Sequence, residues 1–333
     1  MVPESVVFAT TLRDAGDRVL SDLMPFITPR QPRSFRLRLL CALLPVPLLA
    51  PGMAQTDVPA GIDAAAVVRR AIANRFAEDA AHKPLRFVLH KQDGHHNVTQ
   101  EIVETPQGDV AMQLAVNGNP LSAAAQQAER TRLSTLNAHP EYQEHRQRRE
   151  QADQARVDEL LRELPDAFIY RYESTVPCNV TTQPSFAAPG FPAQPETDGA
   201  TEQCYHMTFT PNPGFDPPDI ASKILRGMAG EIWIETSADR LCRLNAHLVQ
   251  DVDFGWGIVG RLDKGGTVYL EQTLIGPKDW ELTRMKLNLT GKALMVKPLS
   301  FRINEELAYF APVPPGTDYH AAIKLLEDGL GGK

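Results

Sequence analysis

From Arg240 to Trp256 the chain alternates. Even positions hold Cys242, Leu244, Ala246, Leu248, Val252, Phe254 and Trp256, and odd ones hold Arg243, Asn245, His247, Asp251 and Asp253. A period of two over so long a run means extended chain with one buried face and one wet face. At roughly 3.3 Å per residue an unbroken strand of this length spans roughly 40–50 Å, which belongs to a large curved sheet.

Shorter runs repeat the pattern on both sides. Leu85, Phe87 and Leu89 alternate with polar positions, Val98 to Glu104 follows, and Val110, Met112, Leu114 and Val116 keep one parity. Asp93-Gly94, Pro106 to Asp109 and Asn117 to Pro120 separate them as turns, giving a meander of antiparallel neighbours. Phe168, Tyr170 and Tyr172 predict another strand, and Tyr205, Met207 and Phe209 one more. Gly230 to Pro312 then reads as successive strands. Turns are predicted at Lys264-Gly265-Gly266, Gly276-Pro277 and Thr290-Gly291. The apolar phase moves from Trp280 and Leu282 to Met285, Leu287 and Leu289, so a β-bulge is expected near Thr283-Arg284.

Helical spacing is confined to a few segments. Residues 62–80 carry Val67, Val68, Ala71, Ile72 and Phe76 behind Asp63 as a cap. Ser122 to about Leu164 is helical and charged, and Pro140 divides it in two. Its middle reads as a solvated excursion, the alternative being a docking arm for a partner. Pro217-Pro218 opens a short helix, and Thr317 to Glu327 forms a last one, stopped by Gly329. There is no βαβ alternation, so a parallel nucleotide-binding sheet is disfavoured.

The N-terminus bears on location. Arg30, Arg33, Arg36 and Arg38 lead into the apolar run Leu39 to Ala50, and Pro51-Gly52-Met53-Ala54 completes a signal-peptide pattern with cleavage after Ala54. Met24 offers a more ordinary start, which makes 1–23 a mis-assigned start. The chain divides into a signal segment at 1–54, a β-rich region at 60–312 and a C-terminal helix and tail at 313–333. The β-rich region carries the charged insertion at 122–164 and a Pro-rich, mobile loop at 176–203. An exported, periplasmic protein is expected. A net charge of −7 disfavours nucleic acid as a partner.

Export permits disulfides. Cys178 and Cys204 bound the hairpin loop, whose ends must lie close, so they are expected to pair. Cys242, on the apolar parity, reads as a buried free thiol. His90, His95 and His96 read as turn histidines rather than metal ligands, and Asp251 with Asp253 makes a poor calcium cage on one strand face. No G-x-S-x-G, G-x-G-x-x-G, Walker or zincin motif occurs. The expectation is therefore a non-enzymatic protein without cofactor or metal.

The order of elements resembles that of the LolA/LolB-type periplasmic lipoprotein carriers. The resemblance rests on a signal peptide, one helix, a meander and the strand Gly230 to Ile234. Arg240, Arg243 and Leu244 follow, and then long hairpins. The chain is also similar to exported bacterial proteins that share Asp253-Phe254-Gly255-Trp256-Gly257 and Gly260 to Gly266. The resemblance implies an α+β fold, a single large curved antiparallel β-sheet. It would be a half-barrel of about ten strands, with helices covering its concave face and a hollow that accepts acyl chains. The residues expected to line that hollow are Ile232, Ile234, Leu248, Val252, Phe254, Trp256, Val268 and Leu270. The function expected is a carrier of a lipid or acylated protein, with the envelope membrane surface as a further partner. An envelope sensor or interaction module on the same fold, using the charged helices as its arm, is the alternative.

Overall fold

One antiparallel sheet organises the chain. The structure, a computed structural model, describes residues 61–79, 82–94, 96–180, 183–194, 202–254, 260–276, 279–293 and 296–331. The expected signal segment and Trp256 lie outside them. Among the described residues there are thirteen strands. These are β1 (Leu85–Asp93), β2 (Asn97–Val103), β3 (Val110–Val116), β4 (Asn119–Pro120), β5 (Phe168–Pro177), β6 (Gln203–Pro211), β7 (Met228–Glu235), β8 (Arg240–Leu248), β9 (Val252–Phe254), β10 (Gly260–Leu262), β11 (Thr267–Leu274), β12 (Trp280–Ala293) and β13 (Lys297–Pro312). The helices are α1 (Ala64–Asp79), α2 (Ala123–Ala138), α3 (Pro140–Ala167) and α4 (Tyr319–Gly331), with a 3-10 helix at Ala221–Gly227.

The strands run in the order β4-β3-β2-β1-β13-β12-β11-β8-β7-β6-β5, with the β9–β10 ribbon joined to β12. This path is open: it ends on β4 and β5, which do not pair, and the sheet does not curl into the expected half-barrel. Both edges are blunted. β4 has only two residues. In β5, Tyr172 pairs with Met207 and Ser174 with His206, so Glu173 is bulged out, and Pro177 ends the strand.

The physical reason for the openness is where the helices sit. Residues directly opposite on antiparallel neighbours share a face. α1 lays Val67, Val68 and Ala71 against Met207, Ile232, Ala246 and Leu248 on one face of the β6–β8 end. α2 and α4 lay Leu133, Leu136, Ile323 and Leu326 against Val88, Val103, Val110 and Met112 at the β1–β3 end. Tracing partners strand by strand puts this second cluster on the opposite face. Each end is thus sealed by its own helices, on opposite faces of the sheet. Asp63 accepts from Ala66 N–H at 3.0 Å to cap α1, and Asp318 accepts from Ala321 N–H at 2.8 Å to cap α4.

Local corrections follow the same logic. The expected long strand from Arg240 breaks after Leu248: β8 pairs with β7 and β11, while β9 turns away to pair with β10. Val249 N–H bonds to Gly227 O and Leu248 N–H to Gly266 O, both at 2.8 Å, closing the corner. Thr290-Gly291 is no turn but lies within β12, where Gly291 pairs with both Leu262 and Leu299. A Cβ at Gly291 would collide with Arg261 O. α4 runs through Gly329 to Gly331. The bulge at Thr283 is present: Glu271 pairs with Arg284 and Gln272 with Leu282, leaving Thr283 between them.

Candidate functional site

The strand registers align one polar residue from each of eight strands into a row. It runs His206 (β6), Trp233 (β7), Arg243 (β8), Glu271 (β11), Arg284 (β12), Glu306 (β13), His90 (β1) and Thr99 (β2). The His206 ring stacks on Trp233 at 4.7 Å, and the Arg243 guanidinium lies 5.2 Å from the same indole. Arg284 stands between two carboxylates, 3.2 Å from Glu271 and 2.9 Å from Glu306. Arg243 approaches Glu271 at 3.7 Å from the other side. Glu271 is 1% exposed and Glu306 5%, so their desolvation must be offset by these partners.

The electrostatics follow the contacts. Burial alone would raise the Glu306 pKa, but hydrogen bonds from Ser185 and Arg284 outweigh it and hold the carboxyl below its ordinary range. Burial, with the hydrogen bond that Tyr269 donates to Glu271 at 2.7 Å, pushes the Tyr269 phenol up to about 12. Burial lowers the His90 pKa against the pull of Glu306. The His90 ring is held by Thr99 Oγ1 at 2.9 Å and Gln92 Nε2 at 3.1 Å.

What buries the row is the Pro-rich segment after β5, a strap across the sheet. Arg243 donates to the carbonyls of Cys178 and Asn179, Arg284 to Gln183 O at 2.6 Å, and Ser185 N–H to Glu306 at 2.7 Å. The Ser185 hydroxyl also bonds Glu306. Phe186 stacks on His90 at 5.0 Å, and Phe191 meets Tyr309 at 5.1 Å. The loop expected to be mobile is thus anchored along its described length from β8 to β1. The strap is tied at its start by the Cys178–Cys204 disulfide, with Cα atoms 5.0 Å apart.

The reverse face of the same strands is apolar. Its rows run Leu244–Leu270–Met285–Glu305–Lys91 and Ala246–Val268–Leu287–Ile303, with Leu307 opposite Leu89. Leu89, Leu270, Met285, Leu287, Ile303 and Leu307 are all half-buried. The helices pack mainly at the two ends of the sheet, α1 on β5, β7 and β8 and α4 on β2 and β3. Lys91 and Glu305 on these rows pair at 2.5 Å, and Asp93, opposite Ile303, ends the second row beside His96.

The residues expected to line a hollow fall into three groups. Ile232, Ile234, Leu248 and Val252 are 4%, 0%, 1% and 6% exposed and pack in the core with α1. Phe254 and Val268 are half-buried against that core, and Leu270 belongs to the apolar rows. Trp256 lies outside the described residues. Cys242 is a buried free thiol whose pKa burial pushes up to about 12. Asp251 and Asp253 both pair with Arg261, Asp253 at 2.7 Å. His96 bonds Asp93 at 3.2 Å, and His95 is outside the described residues.

Sequence reasoning missed the charged row, because each member is a single polar residue on the wet parity of its own strand. The one available signal was charge of alternating sign on successive strands. Comparison with protein-family models and with curated proteins finds no match. Fold and site together define an α+β protein with an open antiparallel sheet, one central face strapped over charges and the other apolar.

Proposed function

We propose that the protein is a non-enzymatic binder of an apolar ligand, a lipid or acyl chain, held on the apolar face of β11, β12, β13 and β1. The observation that carries this is the set of six half-buried side chains, Leu89, Leu270, Met285, Leu287, Ile303 and Leu307, on the face opposite the strap and beside the end that α1 seals. An acyl chain gains about 0.8 kcal/mol per buried methylene, so such binding needs no polar motif. The charged row opposite has the character of a structural spine: Arg284 stands between its two carboxylates and Arg243 beside Glu271, which leaves it without a group set apart for catalysis. The reading keeps the carrier chemistry that the LolA/LolB resemblance implies and drops the enclosed hollow. Export through the Leu39 to Ala54 segment would place the ligand in the cell envelope.

Titration of the purified protein with a dansyl-labelled fatty acid tests it. Saturable binding is expected, weakened at least tenfold by Leu270→Asp or Met285→Asp. Absence of binding by the parent protein, or binding by both variants as tight as the parent's, would overturn it.

A second reading rests on α3. Its start is docked by Gln143 and Gln147 on the carbonyls of Gln107 and Pro106, at 3.0 and 2.9 Å. Its end is docked by Leu160 and Leu164 on the core. Between them Arg148, Gln151, Gln154 and Val157 are exposed, a surface a protein partner could use. Charge reversal at Arg148 and Arg156 would then abolish partner capture while fatty-acid binding stays unchanged.

A further inference from the structure

The hairpin of β12 and β13 outruns its neighbours. Its last pairing with β11 is Asn288 to Thr267, and its last with β1 is Ile303 to Asp93. The rungs beyond, from Leu289–Phe301 to Ala293–Lys297, form an arm roughly 16 Å long at about 3.3 Å per residue. Among the described residues only β10 pairs with it, along Gly291 to Ala293. The arm is stiffened on its apolar side: Leu289 is 7% exposed in the core with Leu248 and Leu262, and Phe301 lies against that core.

Charge sets the arm apart. From Lys286 to Arg302 the sequence holds Lys286, Lys292, Lys297 and Arg302 and not one Asp or Glu, in a chain whose net charge is −7. All four side chains are exposed, and among the described residues none of them is in an ion pair. Nearby Arg261, by contrast, is neutralised by Asp251 and Asp253. Register puts Lys286, Lys292 and Arg302 on one face, with Lys297 opposite Ala293 at the end of the ladder. At the tip, Val296 donates its N–H to Ala293 O at 3.2 Å and leaves its side chain in water, 82% exposed.

We propose that this arm docks the protein on a bilayer whose surface carries anionic phospholipid headgroups. Lys286, Lys292, Lys297 and Arg302 meet the phosphates, and Val296 enters the boundary of the acyl chains. Each cation near such a surface is worth roughly fivefold in partitioning. An exposed aliphatic side chain set among cations suits the interface, where one end of the contact is apolar and the other charged. A soluble polyanion satisfies the cations but has no place for Val296. Pairing of another strand along the open edge of β13 is opposed by Pro298, which has no N–H to give, and by Lys297 and Arg302. The negative charge carried elsewhere on the chain is repelled by the same surface, which turns the arm towards it. The contact is separate from the ligand face and does not depend on what that face holds.

Co-sedimentation of the full chain with phosphatidylcholine vesicles, with and without a quarter of phosphatidylglycerol, tests the proposal, with circular dichroism to confirm the fold of each variant. Binding is expected at 0.1 M NaCl, at least tenfold weaker without phosphatidylglycerol and at least tenfold weaker at 0.5 M NaCl. Lys292→Glu and Lys297→Glu should each weaken it at least fivefold. Lys324→Glu, the same change of net charge placed on exposed α4, should bind as the parent does. Val296→Ser should weaken vesicle binding about threefold and leave retention on heparin unchanged. No binding, equal binding to both kinds of vesicle, or a loss in Lys324→Glu as large as in Lys292→Glu overturns the proposal. Vesicle binding by Val296→Ser as tight as the parent's overturns it in favour of a soluble polyanion. Dansyl fatty-acid binding is expected to be the same in all these variants, so failure of the arm and failure of the ligand reading are told apart.

Discussion

The two faces of β11, β12 and β13 invert the usual division of a sheet. One face buries Glu271 and Glu306 deeply, with the half-buried Arg284 between them, while the face that carries Leu270, Met285, Leu287 and Ile303 is only half-covered. A fold optimised for burial alone would cover the apolar face and leave the charges wet. Here the strap covers the charges, and it is fixed to them by hydrogen bonds at Gln183 and Ser185. The difference teaches that the strap is held by polar complementarity, and that among the described residues the apolar face is the less deeply covered.

The sharpest way to break this comparison is to remove the middle of the charged row. Arg284→Met leaves Glu271 and Glu306, whose side chains are 1% and 7% exposed, without their shared cation. Breaking one partner out of a buried pair costs about 3–5 kcal/mol. Urea denaturation at pH 7 should show a loss of that size. A loss under about 1 kcal/mol would mean the row is hydrated and the strap does not seal it.

Next is the contrast between packed and half-covered leucines. Leu248 is 1% exposed and should cost about 3 kcal/mol on truncation to alanine, as buried leucines do. Leu270, on the neighbouring strand opposite Leu244, on the same face and half-buried, should cost about 1 kcal/mol or less. Equal losses would show that both sit in one core, which would leave no open surface for a ligand.

A third effect depends on pH. The Glu306 pKa is depressed in the folded chain, so its contribution is complete above the ordinary value of 4.5 and is lost as pH falls through the folded one. Glu306→Gln should therefore cost about 2 kcal/mol at pH 7, typical of a charge-assisted hydrogen bond. The gap from the parent protein should shrink as pH falls through the folded pKa. Glu101, raised by burial against the pull of Arg86, has the opposite sign: its carboxylate weakens the fold as pH rises through the folded pKa. Urea midpoints of Glu306→Gln and Glu101→Gln across pH 3 to 7 separate the two.

How much of this could be seen in the sequence differs between the elements and their alignment. α1, β1 to β3 and the break at Pro140 follow from local periodicity and turn chemistry, and even the Thr283 bulge shows as a slip of parity. The charged row does not, because Glu271, Arg284 and Glu306 are distant along the chain and become neighbours only through strand register. Openness was hidden for a related reason. Parity reports that a strand has a buried face, but not which side of the sheet it is, and the buried side changes between β8 and β1. The core position of Ile232 and Leu248, rather than a place in a hollow, depends on where α1 lands, and the helix's own sequence does not specify that.

The smallest effect sharpens the comparison most, because it applies the same chemistry to the other face. Lys91 and Glu305 form an ion pair at 2.5 Å on the apolar rows, with side chains 23% and 16% exposed. If that face is open to water, the pair is screened and Lys91→Met should change stability by under about 1 kcal/mol, as solvent-facing pairs do. It should also lengthen the apolar surface beside Met285 and Leu307 and tighten fatty-acid binding slightly. The same urea titration used for Arg284→Met measures it. A loss as large as that of the buried row would show that Glu305 is stranded without solvent, and so that the apolar face is already covered in the folded protein.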